Sequence, residues 1–324
     1  MNNINSVISF RVTDVQKNLF VNSLGSFGKV TFLKNIPEEK KAHVLSSADV
    51  LLAWYPPDEL KNIDRKNLQG IKLVQLLSAG YDQLDFEQFS SDCQIACNRG
   101  AYAEPMAEYI LAMILALSKN LLLKHKRMVN GEFDQLSENR ILKNKVCGII
   151  GFGSIGKTSA KLLKDFGTKI YAINSSGKTG DEIDFIGTLN ELDFVLKNSD
   201  IVVISIPLKK ETKNLIGKRE LELMKPDGMI INVARGSIIN EKDLYYHLKN
   251  NQEFLAGIDA WWNEPFISGK FKLRYPFFDL PNLLGSPHNS AIAPGSLLKG
   301  AELAIENVLR FVNGKEVRGI VIKS

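Results

Sequence analysis

The chain has 324 residues, 44% of them hydrophobic and 24% charged, with a formal net charge of +5. This is the composition of a soluble globular protein, and the length divides most naturally into two domains. The basic residues are spread along the chain, and the densest run, Lys124-His125-Lys126-Arg127, reads as a solvated helix end, so a nucleic-acid partner is not expected.

Residues 1 to about 100 alternate short apolar runs with polar, helix-compatible pieces. The runs at 7–10, 30–33, 50–54, 73–77 and 94–97 read as strands, and their alternation predicts a parallel sheet with helices on its faces. The fourth run ends in Ser78-Ala79-Gly80-Tyr81-Asp82. Ligands of open α/β sheets bind beyond the carboxyl ends of strands. This turn is either an ordinary β–α connection or, through its backbone N–H groups, an anion site. Cys93, Cys97 and Cys147 make no disulfide framework, and Cys93-x-x-x-Cys97 lacks a second ligand pair, so no metal site is expected. The first eleven residues lack the features of a signal peptide, and a reducing cytoplasm is the expected setting.

Asn98-Arg99-Gly100-Ala101 reads as a crossover into a helix from 104 to about 130, with Pro105 in its first turn. Its middle, 110–117, is apolar nearly all round, which places it in a subunit core, between domains or between subunits. The apolar stretch 109–123 is cut by Ser118-Lys119-Asn120 and is too short to cross a bilayer, so no membrane partner is expected.

Next comes an apolar strand, 146–150, that runs into Gly151-Phe152-Gly153-Ser154-Ile155-Gly156 and then a helical stretch. Strand, glycine turn and helix in that order are the context a dinucleotide fingerprint requires. The first glycine permits the tight turn, the second lets backbone approach a pyrophosphate, and the third lets helix and strand pack closely. Further strands are expected at 169–173, 200–205, 229–233 and 255–259, a last short strand and turn at 283–288, and helices at 190–198, 218–224, 241–250 and 296–313 between and after them. Arg235, the pair Asp259 and Glu264, and His288 all follow strand ends of this second sheet. A histidine can donate the proton that carbonyl reduction needs, and a carboxylate beside it would favour the imidazolium and orient the ring. An arginine can hold a substrate carboxylate bidentately.

Six blocks in order make the reading specific: the glycine turn, Pro207-Leu208 with Glu211-Thr212, Met224-Lys225-Pro226, Ile231-Asn232-Val233-Ala234-Arg235-Gly236, Asp259 through Glu264-Pro265, and Ser286-Pro287-His288. In this the chain resembles the D-isomer-specific 2-hydroxyacid dehydrogenases over most of its length. The resemblance implies an α/β fold in which a Rossmann dinucleotide-binding domain, 101–289, is inserted in a flavodoxin-like substrate domain, 1–100 with 290–324. It implies hinges near 98–101 and 289–291. It implies Arg235 as substrate binder, His288 as acid/base and Glu264 as its partner, with Ser78, Ala79 and Gly80 on the substrate carboxylate. It further implies cofactor contacts from the glycine turn, Pro207, Thr212, Ala234, Asp259 (to the nicotinamide carboxamide) and His288, and a homodimer through the helix from about Glu104.

Two departures stand out. NAD-using members carry an acidic residue at the end of the second Rossmann strand, where this chain has Asn174, followed by Ser175, Ser176 and Lys178. A carboxylate there repels a 2′-phosphate, whereas hydroxyls and a lysine accept one, so NADP(H) is expected in preference to NAD(H). The segment from Glu264 to His288 is also longer than expected, carrying 267–278. The expected activity is reduction of a small 2-keto acid of the glyoxylate or hydroxypyruvate type to the D-2-hydroxy acid. The alternatives are an NAD-dependent, phosphoglycerate-type dehydrogenase and a dinucleotide-sensing, corepressor-like binding protein.

Overall fold

A computed structural model describes residues 3–265 and 269–321. Ile267, in the expected longer segment, lies outside the described residues. The chain divides into two compact units, Met1–Tyr102 with Ala293–Ser324, and Ala103–Ile292.

In the first unit the strands are β1 (Ser6–Ile8), β2 (Val30–Phe32), β3 (Val50–Ala53), β4 (Leu73–Leu76) and β5 (Gln94–Ala96). They form one parallel sheet in the order β2-β1-β3-β4-β5, the flavodoxin-like winding. Helices α1 (Asp14–Leu24), α2 (Glu38–Ser46) and the short α3 (Pro56–Glu59) connect the first strands. Thr13 opens α1 with a reciprocal capping box to Gln16. Every residue of β3 and β4 is buried, as a sheet covered on both faces demands. One face is closed partly by the chain's last helix, whose Ala301, Ala304, Ile305 and Val308 share a core with Phe20, Leu24 and Leu73.

The second unit begins with α4 (Ala103–Ser118) and α5 (Leu121–Val129). The single helix expected from 104 to about 130 is therefore two. They meet at a 53° bend, where Asn120 takes a left-handed φ of +50°. Asparagine tolerates that conformation and stops a helix without a glycine or proline to announce it. Then follow β6 (Val146–Ile150), α6 (Ser154–Asp165), β7 (Lys169–Ile173), β8 (Phe185–Gly187), α7 (Leu192–Asn198), β9 (Ile201–Ile204), α8 (Lys218–Leu223), β10 (Met229–Asn232), α9 (Glu241–Asn250), β11 (Leu255–Ile258) and β12 (Leu283–Gly285); α10 (Ser296–Val312) is the closing helix already placed in the first unit. The seven strands are parallel, in the order β12-β11-β10-β9-β6-β7-β8. Strand order reverses at β6, so the turn after it lies at a topological switch point.

The apolar helix α4 belongs to the core of its own unit. Ile110, Met113, Ile114 and Leu117 pack with Ile149, Leu163, Ile231 and Leu255. It approaches β11 at Gly257, where an added Cβ would stand 3.1 Å from Met113 and 3.3 Å from Leu117. Each such buried aliphatic side chain contributes ~1.5–3 kcal/mol over leaving it in water. The exposed apolar residues lie further on, at Leu121, Leu122, Met128, Val129, Phe133, Leu136 and Ile141.

Candidate active site

The glycine turn is built by three different constraints. Gly151 holds a φ of +109°, and a Cβ on it would stand 2.7 Å from the Ser205 carbonyl carbon. A Cβ on Gly156 would stand 2.3 Å from the Gly151 oxygen. Gly153, by contrast, has nothing within 4 Å of its Cβ position. It is the N-cap residue of α6, and no side chain caps that helix. Open space beside uncapped N–H groups at a helix start fits a pyrophosphate. Phe152 is buried, Ile155 half-buried and Ser154 exposed. After β9, Thr212 ties the next turn by donating its hydroxyl to the Pro207 carbonyl at 2.8 Å and accepting from the Lys209 N–H at 2.8 Å. Pro207 itself is exposed.

Beyond β7 the loop is organised by Asn174. Its Oδ1 accepts from Ser176 N–H at 3.0 Å, the Ser176 hydroxyl at 3.1 Å and Gly177 N–H at 2.7 Å. Its Nδ2 donates to the Lys178 carbonyl at 2.8 Å. Asn174 and Ser176 thus bond within the loop itself, and Ser175, Ser176 and Lys178 are all exposed. An aspartate could accept the same three bonds but could not make the fourth.

The third cluster gathers at the ends of β10, β11 and β12. Asn232, fully buried, accepts from Ala234 N–H at 3.0 Å and donates to the Arg235 carbonyl at 2.9 Å, folding the backbone around Arg235. Gly236 then presses on the turn after β11, where a Cβ would stand 2.2 Å from the Trp261 carbonyl carbon. That close approach sets the Arg235 turn against the turn that carries Glu264. Glu264 is 3% exposed; its Oε1 accepts from Trp261 N–H at 2.7 Å, and both its oxygens lie 2.8 Å from His288 Nδ1. The carboxylate fixes the ring and leaves Nε2 as the atom able to carry a proton to a ligand.

His288 has a left-handed φ of +53°, unusual for a non-glycine residue. Asp259 holds that turn. Its Oδ1 accepts from the Ser286 hydroxyl at 2.7 Å and Asn289 N–H at 3.2 Å, and its Oδ2 accepts from Ser290 N–H at 3.2 Å. Asp259 is 0% exposed, and these three bonds commit most of its acceptor capacity to the His288 turn. Asn232 and Ser286 were not singled out in the sequence as site residues. The available signal was an asparagine at a strand end, where an Asx turn to the residue two ahead is common.

In the first unit the Ser78 hydroxyl donates to the Gly80 carbonyl at 2.7 Å. The Ser78 carbonyl accepts from Asn98 N–H at 2.9 Å, and the Leu77 carbonyl accepts from the Tyr102 hydroxyl at 2.9 Å. The turn Ser78, Ala79 and Gly80 is half-buried and stands at the carboxyl end of β4. Burial pushes the Tyr102 phenol up to about 12, which keeps it a neutral donor.

A glycine turn at a sheet's switch point, with a carboxylate-held imidazole at the neighbouring strand ends, defines a dinucleotide-dependent oxidoreductase by fold and site. Residues 111–290 match the family described as D-isomer specific 2-hydroxyacid dehydrogenase, NAD binding domain. The chain is 30% identical to a glyoxylate reductase of Thermococcus gammatolerans over 301 residues, 87% of this chain and 85% of that protein. It belongs to the D-isomer-specific 2-hydroxyacid dehydrogenases, which are NAD(P)-dependent oxidoreductases. Solved structures share the fold. A family protein of Aeromonas salmonicida superposes with a TM-score of 0.82 at 24% identity, covering 99% of both chains. An acyclic imino acid reductase in complex with NADPH and D-Arg superposes with a TM-score of 0.81 at 20% identity, covering 98% of this chain and 100% of that one.

Proposed function

We propose that the protein reduces a small 2-keto acid of the glyoxylate or hydroxypyruvate type to the D-2-hydroxy acid, with NADP(H) preferred over NAD(H). The observation that carries the chemistry is the Glu264–His288 pair, both carboxylate oxygens 2.8 Å from Nδ1. When bound, the reduced dinucleotide supplies a hydride for the keto carbon. His288 Nε2 gives the proton to the developing alkoxide, and Glu264 stabilises the imidazolium beforehand. Arg235 holds the substrate carboxylate and polarises the carbonyl, as a guanidinium fork can. Ser78, Ala79 and Gly80 offer backbone N–H groups to the same carboxylate in this reading. Gly151 to Gly156, Pro207, Thr212, Ala234 and Asp259 line or support the dinucleotide.

The NADP(H) preference rests on the loop after β7, where no carboxylate stands at Asn174 and Ser175 and Lys178 are exposed. The partner proposed beside the substrate is a second copy of the chain. The exposed Leu121, Leu122, Met128 and Val129 of α5, rather than the core-facing residues of α4, are the side chains suited to that interface.

Initial rates with glyoxylate, hydroxypyruvate, pyruvate and phosphohydroxypyruvate, each with NADPH and NADH, test the proposal. A preference for phosphohydroxypyruvate with NADH would replace it with the phosphoglycerate-type reading. Tight NADPH binding with no turnover on any keto acid would replace it with the binding-protein reading.

A further inference from the structure

The loop after β7 meets a second group of charges that nothing above uses. Lys157, one turn into α6, reaches across to Asp181 with its Nζ 2.8 Å from Oδ2. The Thr179 hydroxyl donates to the same Oδ2 at 2.7 Å, and Asp181 N–H donates back to that hydroxyl at 3.1 Å. Thr179 follows Lys178 directly, so the Lys157 ammonium and the Asn174–Lys178 loop are joined through two residues, Asp181 and Thr179. The same ammonium lies 5.8 Å from the ring centroid of Phe152, in the glycine turn. Lys157 therefore bridges the helix start to the ribose-side loop.

The charge balance here is uneven. Asp181 is held below the usual carboxylate range, first by the bond from Lys157, then by Thr179, with Lys161 one turn along α6 adding to it. Two ammonium groups, Lys157 and Lys161, thus act on one carboxylate, and Lys178 on the loop and Glu182 beside Asp181 are both exposed. The Lys157–Asp181 pair is itself well exposed, at 42% and 34%. Exposed pairs of this kind contribute little to stability and exchange partners readily. A phosphate monoester offers up to two charges and three acceptor oxygens, which makes it the stronger partner for a lysine.

We propose that Lys157 is a specificity-determining residue for the cofactor: it exchanges Asp181 for the 2′-phosphate of NADP(H), and Asp181 is its counter-ion when no 2′-phosphate is present. The inference rests on the NADP(H) reading above and adds a residue from α6 to the loop residues Ser175 and Lys178. Under it, Asp181 competes with the phosphate for the same ammonium, whereas NAD(H) leaves the pair intact.

The test is the dissociation constants of NADPH and NADH, measured by nucleotide fluorescence on the full chain and on Lys157→Ala and Asp181→Asn. Lys157→Ala is expected to weaken NADPH about ten- to a hundredfold, the value of a lost hydrogen bond to a charged group, while NADH stays close to wild type. Asp181→Asn is expected to tighten NADPH and leave NADH unchanged, and its Oδ1 still serves Thr179. Wild-type preference for NADPH that persists in Lys157→Ala overturns the role of Lys157 alone. Equal weakening of both cofactors also overturns it, since that marks a pyrophosphate or structural effect. Equal wild-type affinities for the two cofactors overturn the NADP(H) reading and this inference with it.

Discussion

Replacing Glu264 with Gln removes one charge and almost no volume, so its effect isolates what the carboxylate does for His288. A glutamine oxygen in the place of Oε1 still accepts from Trp261 N–H at 2.7 Å and from Nδ1 at 2.8 Å. Its amide nitrogen then occupies the place of Oε2, 2.8 Å from Nδ1, and a donor faces a donor. Flipping the amide puts its NH2 against Trp261 N–H while its oxygen takes the place of Oε2, still 2.8 Å from Nδ1, so a donor again faces a donor. Either way the imidazolium loses its counter-charge in a site where Glu264 is 3% exposed. A hydrogen bond between charged groups is worth ~1.5–3 kcal/mol, and opposed donors cost ~1–3 kcal/mol more. Part of that cost falls on folding, so we assign ~3 kcal/mol to the proton-transfer step, or about a hundredfold in kcat. Stopped-flow and steady-state reduction of glyoxylate with NADPH measure it. NADPH affinity should hold, because Glu264 lies away from the glycine turn and the Asn174 loop. A kcat within about threefold of wild type would refute the assignment, since it leaves less than ~1 kcal/mol for the carboxylate.

Gly236→Ala pushes a methyl group into the Trp261 backbone at 2.2 Å, and the obstacle is main chain. We expect a loss of ~1–3 kcal/mol in chemical denaturation together with a fall in kcat, because the Arg235 and Glu264 turns are forced apart. Asn174→Asp restores a strand-end carboxylate and removes the bond to the Lys178 carbonyl; the ratio of kcat/KM for NADPH over NADH should fall by about tenfold or more. His247 sits edge-on to Phe254 with centroids 4.5 Å apart, and burial lowers its pKa. The unfolded chain then binds a proton the folded chain resists. The His247 contribution is complete above the unfolded value of about 6.5 and is lost as pH falls through the lower folded value. Thermal melts of His247→Phe should therefore lose less Tm than wild type between about pH 7 and pH 5.

The central strands of each sheet were legible because their burial is total. Every residue of β9, β10 and β11 is buried, and a strand covered on both faces reads as an unbroken apolar run. β8 carried no such signal: Phe185–Gly187 is three residues at the sheet edge, half-buried until its glycine. The break at Asn120 was visible as a polar interruption yet read as part of one helix. Apolar spacing resumes in Leu121 and Leu122, and only the left-handed φ of Asn120 shows that the axis has turned. Residue type alone does not specify that choice.

The active-site set shows where pattern ends and geometry begins. Glu264 and His288 are 24 positions apart, and the pairing that the resemblance implied is made because β11 and β12 are neighbouring parallel strands whose ends share one edge. What order could not supply is the conformation that aims the ring. His288 is in the left-handed region, and it is kept there by a buried carboxylate bonded to the residues on both sides of it, Ser286, Asn289 and Ser290. A strained backbone persists when its surroundings over-determine it. Asp259 supplies that determination with three bonds at no exposed surface, so its first effect on catalysis runs through His288. Asp259→Asn keeps an acceptor for two of the three donors and sets a donor against the third. It should therefore lower kcat more than it weakens NADPH binding, and a loss confined to NADPH affinity would return Asp259 to a purely cofactor-facing role.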